Sequence, residues 1–209
     1  MSNNAYERQL YVGPFTGTDG TRSSGRANRT GEQVVSNVHG DYYEQSNRGN
    51  IFMAQAIITA PVIWTTEAGT GGPLLWNGSS TIRASILAVG WGISTVSTVG
   101  AAVGLTGGYD QTAAPTTTTA IDSQGCMNGG SDTPQVNAYR VGTTGTNRWF
   151  LPLGGLYTGA LTVTPDAMNW VRLDGLVSLK QNGFVSFAAS ATASTTVMNV
   201  CIIWEEVPV

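Results

Sequence analysis

Charge is what this chain has least of. Only 11% of its 209 residues are Asp, Glu, Lys or Arg, less than half of the roughly 25% usual in a soluble domain. There is one lysine, Lys180, and the net charge is −3. A dedicated nucleic-acid binder carries a basic face, so sequence-specific nucleic-acid recognition has no support here. The only histidine is His39, in the polar stretch Val38-His39-Gly40-Asp41-Tyr42. Hydrolysis through a Ser-His-Asp or Cys-His centre needs a histidine held beside a nucleophile by a third group, and this stretch does not provide one. The two cysteines, Cys126 and Cys201, are too few for a disulfide framework and form no metal-type pair. Whether they pair with each other is open. No apolar run reaches the ~20 residues of a membrane helix. The first ten residues lack the basic-then-apolar pattern of a secretory signal, so synthesis in a cytoplasm, without unaided secretion, is expected.

Gly, Thr, Ser, Ala and Asn take the place of the missing charge, with 27 glycines alone. Such a turn-rich, low-charge composition suits a β protein whose surface is largely covered by neighbours. The character of the chain changes near Asn50. Residues 1–50 hold five arginines (Arg8, Arg22, Arg26, Arg29, Arg48) and five acids, with apolar residues only in short pieces. They cannot bury a core and read as an extended N-terminal arm. Residues 51–209 read as one β domain.

From Ile51 onward, strand follows strand. Residues 51–59 are apolar and β-branched and stop at Ala60-Pro61. Residues 74–76 and 81–89 flank Asn77-Gly78, and residues 176–180 and 184–187 flank Asn182-Gly183. Asn-Gly between apolar runs predicts a tight hairpin turn, with positive φ at both residues of the second pair. Residues 91–99 predict an edge or second-sheet strand. Residues 100–108 and 111–120 carry few large side chains. The last strand, 196–207, is apolar enough to be buried on both faces. No helical period appears. Eight to ten strands in this length fit an all-β sandwich of two sheets with Greek-key or jelly-roll connections.

Candidate chemistry is sparse. Asp110, Asp122 and Asp132 fall in loops but match no calcium-loop spacing. Glycoside hydrolysis needs two carboxylates facing one cleft. Glu205 and Glu206 are adjacent, so a strand sends them to opposite faces, and nothing selects another pair. Gly69-Thr70-Gly71-Gly72-Pro73 is followed by no Lys-Ser/Thr and reads as a turn rather than a phosphate loop. No catalytic residue, cofactor or metal is expected. The spaced arginines Arg22, Arg26 and Arg29, with Arg48, suit bidentate contacts to an acidic protein surface. The six tryptophans, spread along the strands, read as core or interface residues. An exposed shelf of them would instead point to glycan binding.

The segment Gly25-Arg26-Ala27-Asn28-Arg29-Thr30-Gly31-Glu32-Gln33-Val34-Val35 runs on through Val38-His39-Gly40-Asp41-Tyr42-Tyr43-Glu44 to Arg48-Gly49-Asn50. It resembles the N-terminal region of a group of tailed-bacteriophage virion proteins. The remainder is similar in kind to jelly-roll capsid decoration and cement proteins. The resemblance implies a jelly-roll sandwich behind an arm, acting as a non-enzymatic structural protein of the virion. Its partners would be copies of itself, as a trimer, and the major capsid protein or another virion protein, with no membrane. The alternative is a receptor- or glycan-binding module of a head fibre or tail. A depolymerase or lysin would be a third class.

Overall fold

The computed structural model describes residues 42–59, 61–64, 70–95, 100–116, 118–156, 169–190 and 197–209. Two sheets account for nearly all of them. The first holds β1 (Ile51–Thr59), β5 (Ile82–Thr95), β8 (Ser123–Cys126), β11 (Asn169–Leu179) and β13 (Val197–Pro208), in the order β11-β5-β13-β1-β8. The second holds β3 (Thr70–Gly71), β4 (Leu74–Asn77), β6 (Ala101–Gly108), β9 (Asn137–Thr143), β10 (Trp149–Leu156) and β12 (Gly183–Ala189), in the order β10-β6-β12-β4-β9-β3. Two short strands join it: β2 (Val62–Ile63), parallel to β12, and β7 (Thr119–Ala120), antiparallel to β9. Every other pairing is antiparallel. The chain is an all-β sandwich, as expected. A short helix, α1 (Tyr43–Asn47), precedes β1 and is the only helix among the described residues, and Asn50 ties back to it through its backbone N–H and its side chain, both bonded to Gln45. The expected arm lies, up to residue 41, outside the described residues. Residues 44–209 form one compact unit.

Alternation sets the core. In β1 the even positions Phe52, Ala54, Ala56 and Ile58 are buried, while Ile57 and Thr59 are exposed. In β13, Met198, Val200, Ile202 and Trp204 face the same core. β5 keeps this phase only by slipping once: Ile82, Ala84 and Ile86 point inward, and then Val89 and Trp91 do. Leu87 is the extra residue, passed over by the pairing with β13 (Ile203 opposite Ala88, Trp204 opposite Ile86). A bulge of this kind lets a long strand bend and twist without losing its buried face. β5 therefore runs unbroken through Gly90, and the separate strand expected from residue 91 is its continuation, in the sheet interior rather than at an edge. Burying each large side chain here contributes ~1.5–3 kcal/mol.

The small residues of β6 turn out to be a packing requirement. A Cβ on Gly104 would lie 2.0 Å from the carbonyl oxygen of Leu151, and one on Gly107 would meet the ring of Trp149 at 2.6 Å. β6 can therefore lie between β10 and β12 only because these positions are glycine. Val185, Phe187 and Ala189 of β12 fill the sandwich, and Phe184, Ser186 and Ala188 on its other face are also fully buried.

Both expected hairpins are corrected. β4 and β5 lie in different sheets, as do β11 and β12, so neither Asn-Gly pair joins paired strands. Each turns the chain from one sheet into the other. Lys180 to Gly183 form a turn closed by the Gly183 N–H on the Lys180 carbonyl (2.9 Å). In it Asn182 alone has positive φ, at 64°, and Gly183 does not. Asn77 and Gly78 have ordinary φ. The apolar flanks alone suggest partners across one hairpin. They are in fact the inward faces of two sheets, which a sequence pattern cannot tell apart.

Candidate functional site

Three buried polar side chains, Asn77, Gln111 and Glu206, are bound up in structure. Asn77, fully buried, donates from Nδ2 to the carbonyls of Ile82 and Leu179 (3.0 Å each), and its Oδ1 accepts the Ser79 N–H. Gln111 fastens two loops over the outside of the eight-stranded sheet. Its carbonyl accepts the Trp76 Nε1–H (2.9 Å) and its N–H reaches the Asn182 carbonyl. Its side chain holds the Gly145 N–H and the Thr143 carbonyl. Glu206 is buried among apolar groups, where its carboxylate accepts the N–H groups of Gln135 (3.0 Å) and Val136 (2.9 Å) and the Trp204 Nε1–H (3.3 Å).

The remaining carboxylates do not converge. Glu205 lies on the outer side of β13, opposite in phase to Glu206, and partial burial raises its pKa. Asp110 pairs with Arg148 at 2.7 Å, and that hydrogen bond holds its carboxyl below the usual range. The Arg148 guanidinium also lies over the Tyr109 ring, 5.7 Å from its centroid. Asp122 accepts the Ile57 N–H (2.6 Å) and pairs with Arg140 at 3.3 Å. Asp132 lies beside Gly49. Among the described residues no three His, Cys, Asp or Glu side chains gather where they could hold a metal ion.

The two cysteines are free. Cys126 is the last residue of β8 and points into the core, opposite Phe52. The sequence had suggested a loop. Cys201 sits opposite Gln55 on the other side of the same sheet, so the thiols face away from each other. Burial pushes the Cys201 thiol up to about 11.

The tryptophans divide. Trp204 and Trp91 are core residues, Trp76 and Trp149 are half-buried, and Trp64 and Trp170 are 37% and 51% exposed. Trp170 lies over Gly90 on the outer face of the five-stranded sheet. Trp64 stacks on Phe150 (5.6 Å between centroids), whose neighbours Trp149 and Leu151 pack on the core, so this pair lies on the outside of the other sheet. The two exposed indoles are on opposite sides of the sandwich and make no common shelf.

Of the four arginines singled out in the sequence, Arg22, Arg26 and Arg29 lie outside the described residues. Arg48 is exposed in the turn between α1 and β1. Sequence reasoning missed the anchoring roles of Gln111 and Glu206. The signal for Glu206 was available: it shares the strand phase of Trp204 in an apolar run. It also missed Leu176, 74% exposed, which follows the Asp174-Gly175 pair, a turn dipeptide inside a strand pattern. No protein-family model, curated protein or solved structure matches this chain.

Proposed function

We propose that this chain is a non-enzymatic structural component of a phage virion, a capsid decoration or cement protein. In this reading its sandwich is a jelly roll that associates with copies of itself, and residues 1–50 dock it on the shell. The observation that carries the reading is the nesting of the strand pairs. Eight strands, taken in chain order as β1, β4, β5, β6, β10, β11, β12 and β13, pair first with last (β1·β13), second with seventh (β4·β12), third with sixth (β5·β11) and fourth with fifth (β6·β10). One long antiparallel ribbon, folded double and rolled so that alternate rungs fall in opposite sheets, would give this nesting, which supports the jelly-roll reading. β7, β8 and β9 form an insertion between its fourth and fifth strands.

The internal carboxylates and amides support the same reading, because they hold loops and corners in place rather than line a cleft. The virion setting rests on the resemblance of the N-terminal segment. Glycan binding is the weaker alternative, since the exposed indoles are divided between two faces. The test is co-sedimentation with particles that lack this protein. A chain without residues 1–41 should melt like the full chain but fail to sediment with particles, and Arg22, Arg26 and Arg29 changed together to Ala should weaken attachment before stability changes. Full occupancy by the truncated chain would move the docking surface to the β domain. No attachment by the intact chain would end the decoration reading.

A further inference from the structure

The sequence contains three Asn-Gly pairs, Asn77-Gly78, Asn128-Gly129 and Asn182-Gly183. A glycine after asparagine leaves the intervening peptide nitrogen unshielded, because it carries no Cβ. That nitrogen can attack the asparagine carboxamide carbon wherever the backbone is free to bring the two together. The fold withholds this freedom from two of the pairs. Asn77 is fully buried, and its Nδ2, the group that would have to leave, is held by the carbonyls of Ile82 and Leu179. Gly183 is buried, its N–H is tied to the Lys180 carbonyl at 2.9 Å, and the Asn182 N–H is tied to the Asn77 carbonyl. Either pair must open a corner of the sandwich before its atoms can meet. Asn128-Gly129 is placed differently, just beyond β8 in a loop whose residues 127–133 are all exposed. Gly129 takes positive φ, 74°, and nothing lies within 4 Å of the position a Cβ would occupy there. Its N–H reaches the Cys126 carbonyl at 3.1 Å, a bond inside one exposed turn that local fraying breaks. The Asn128 Oδ1 meanwhile accepts the Gly130 N–H at 2.7 Å. That donor polarises the carboxamide and steadies the negative charge its oxygen gains when the carbon is attacked.

We infer that Asn128 is a site of spontaneous deamidation, the one Asn-Gly pair of this chain that converts while the protein stays folded. The Gly129 nitrogen, its proton lost to hydroxide, forms a bond to the Asn128 Cγ. The Cγ–Nδ2 bond breaks, ammonia leaves with a proton taken from water, and a cyclic imide remains. Water then opens the imide at either carbonyl and gives an aspartyl or an isoaspartyl residue. The balance is one water consumed and one ammonia released, with no oxidation or reduction. The product sets a new carboxylate beside Asp132, because Asn128 Oδ1 and Asp132 Oδ2 lie 2.8 and 3.2 Å from the same point, the position of a Cβ on Gly130. Both side chains also face Gly49, so the added charge falls at the turn that leads into β1.

Peptide mapping by mass spectrometry tests this on the full chain, held in mildly alkaline buffer well below its melting temperature and, in parallel, unfolded in urea. In the folded chain Asn128 should convert about tenfold faster or more than Asn77 and Asn182, whose conversion waits on opening of the structure around them. In urea the three rates should draw together, because the intrinsic chemistry of the pairs is the same. Isoaspartate, the mark of the imide, should appear at Asn128. Equal rates at the three sites of the folded chain would overturn the inference. So would an Asn128 that stays an amide there while the urea-unfolded chain converts. Conversion without isoaspartate would mean direct hydrolysis of the side chain and would remove Gly129 from the reaction.

Discussion

Asn182 donates its backbone N–H to the carbonyl oxygen of Asn77 across 2.7 Å, so the two Asn-Gly corners of the sandwich close against each other. They are 105 residues apart in the chain, and each takes it from one sheet to the other. The side chain of Asn77 adds a bond to Leu179, just before the second corner. The joint fixes the spacing of the two sheets at that end.

Asn182 is the strained member of this joint, because its φ is 64°. Asn182→Gly should leave the urea midpoint nearly unchanged. Asn182→Val should lower stability by about 1–2 kcal/mol, since a β-branched side chain resists the left-handed region. Equal midpoints for the two variants would mean that the turn relaxes to another conformation.

The strands that could be read from sequence are those with large side chains in strict alternation. Residues 51–59 coincide with β1, and the C-terminal run coincides with β13 because its inward positions from Met198 to Trp204 are all large and apolar. The all-β class followed from the same pattern. β5 was divided in two because Gly90 looks like a break, whereas pairing with Cys201 and Trp170 on either side carries the strand through it. β6 was missed because its glycines answer to the backbone of β10, a neighbour more than forty residues away. Turn chemistry showed where the chain reverses but not into which sheet, because that depends on pairings distant in sequence. The anchoring carboxylate Glu206 was hidden for the same reason: its partners, Gln135 and Val136, lie about seventy residues earlier.

Gly104→Ala tests the close approach of β6 and β10. The new Cβ would meet the Leu151 carbonyl oxygen at 2.0 Å, and backbone cannot swing aside as a side chain can. A loss of ~1–3 kcal/mol is expected, as for other overpacked sites. Gly125→Ala is the control: nothing lies within 4 Å of its Cβ, so its melt should match wild type. Should both variants melt alike, the tight spacing of β6 and β10 would be refuted.

Glu206→Ala removes the acceptor shared by two backbone N–H groups and an indole. Leaving a buried donor unsatisfied costs about 1–3 kcal/mol, so the variant should lose at least that much in a denaturant titration. Glu206→Gln keeps one acceptor oxygen and should lose less. Amide exchange at Val136 should speed up in both, more so in the alanine variant. Unchanged exchange there would show that Glu206 does not hold this loop.

Cys201 provides a pH dependence whose sign can be worked out. Its folded pKa is about 11 against an ordinary 9.0, because burial disfavours the thiolate. From about pH 9 the unfolded chain releases this proton while the folded chain keeps it. The unfolded state then binds fewer protons, and stability falls as pH rises, by at most ~1.4 kcal/mol per pH unit, until the folded thiol also titrates. The burial-raised Tyr139 contributes in the same direction from about pH 10, its ordinary value, so the two overlap and the informative quantity is a difference. Cys201→Ala should lose stability less steeply than wild type between pH 9 and 11. At pH 8 iodoacetamide should leave Cys201 of the folded protein unmodified and label it once urea unfolds the chain, since the thiolate is the reactive form. Parallel pH profiles for the two proteins, or rapid labelling of Cys201 in the native state, would place the thiol at an exposed and ordinary position on β13.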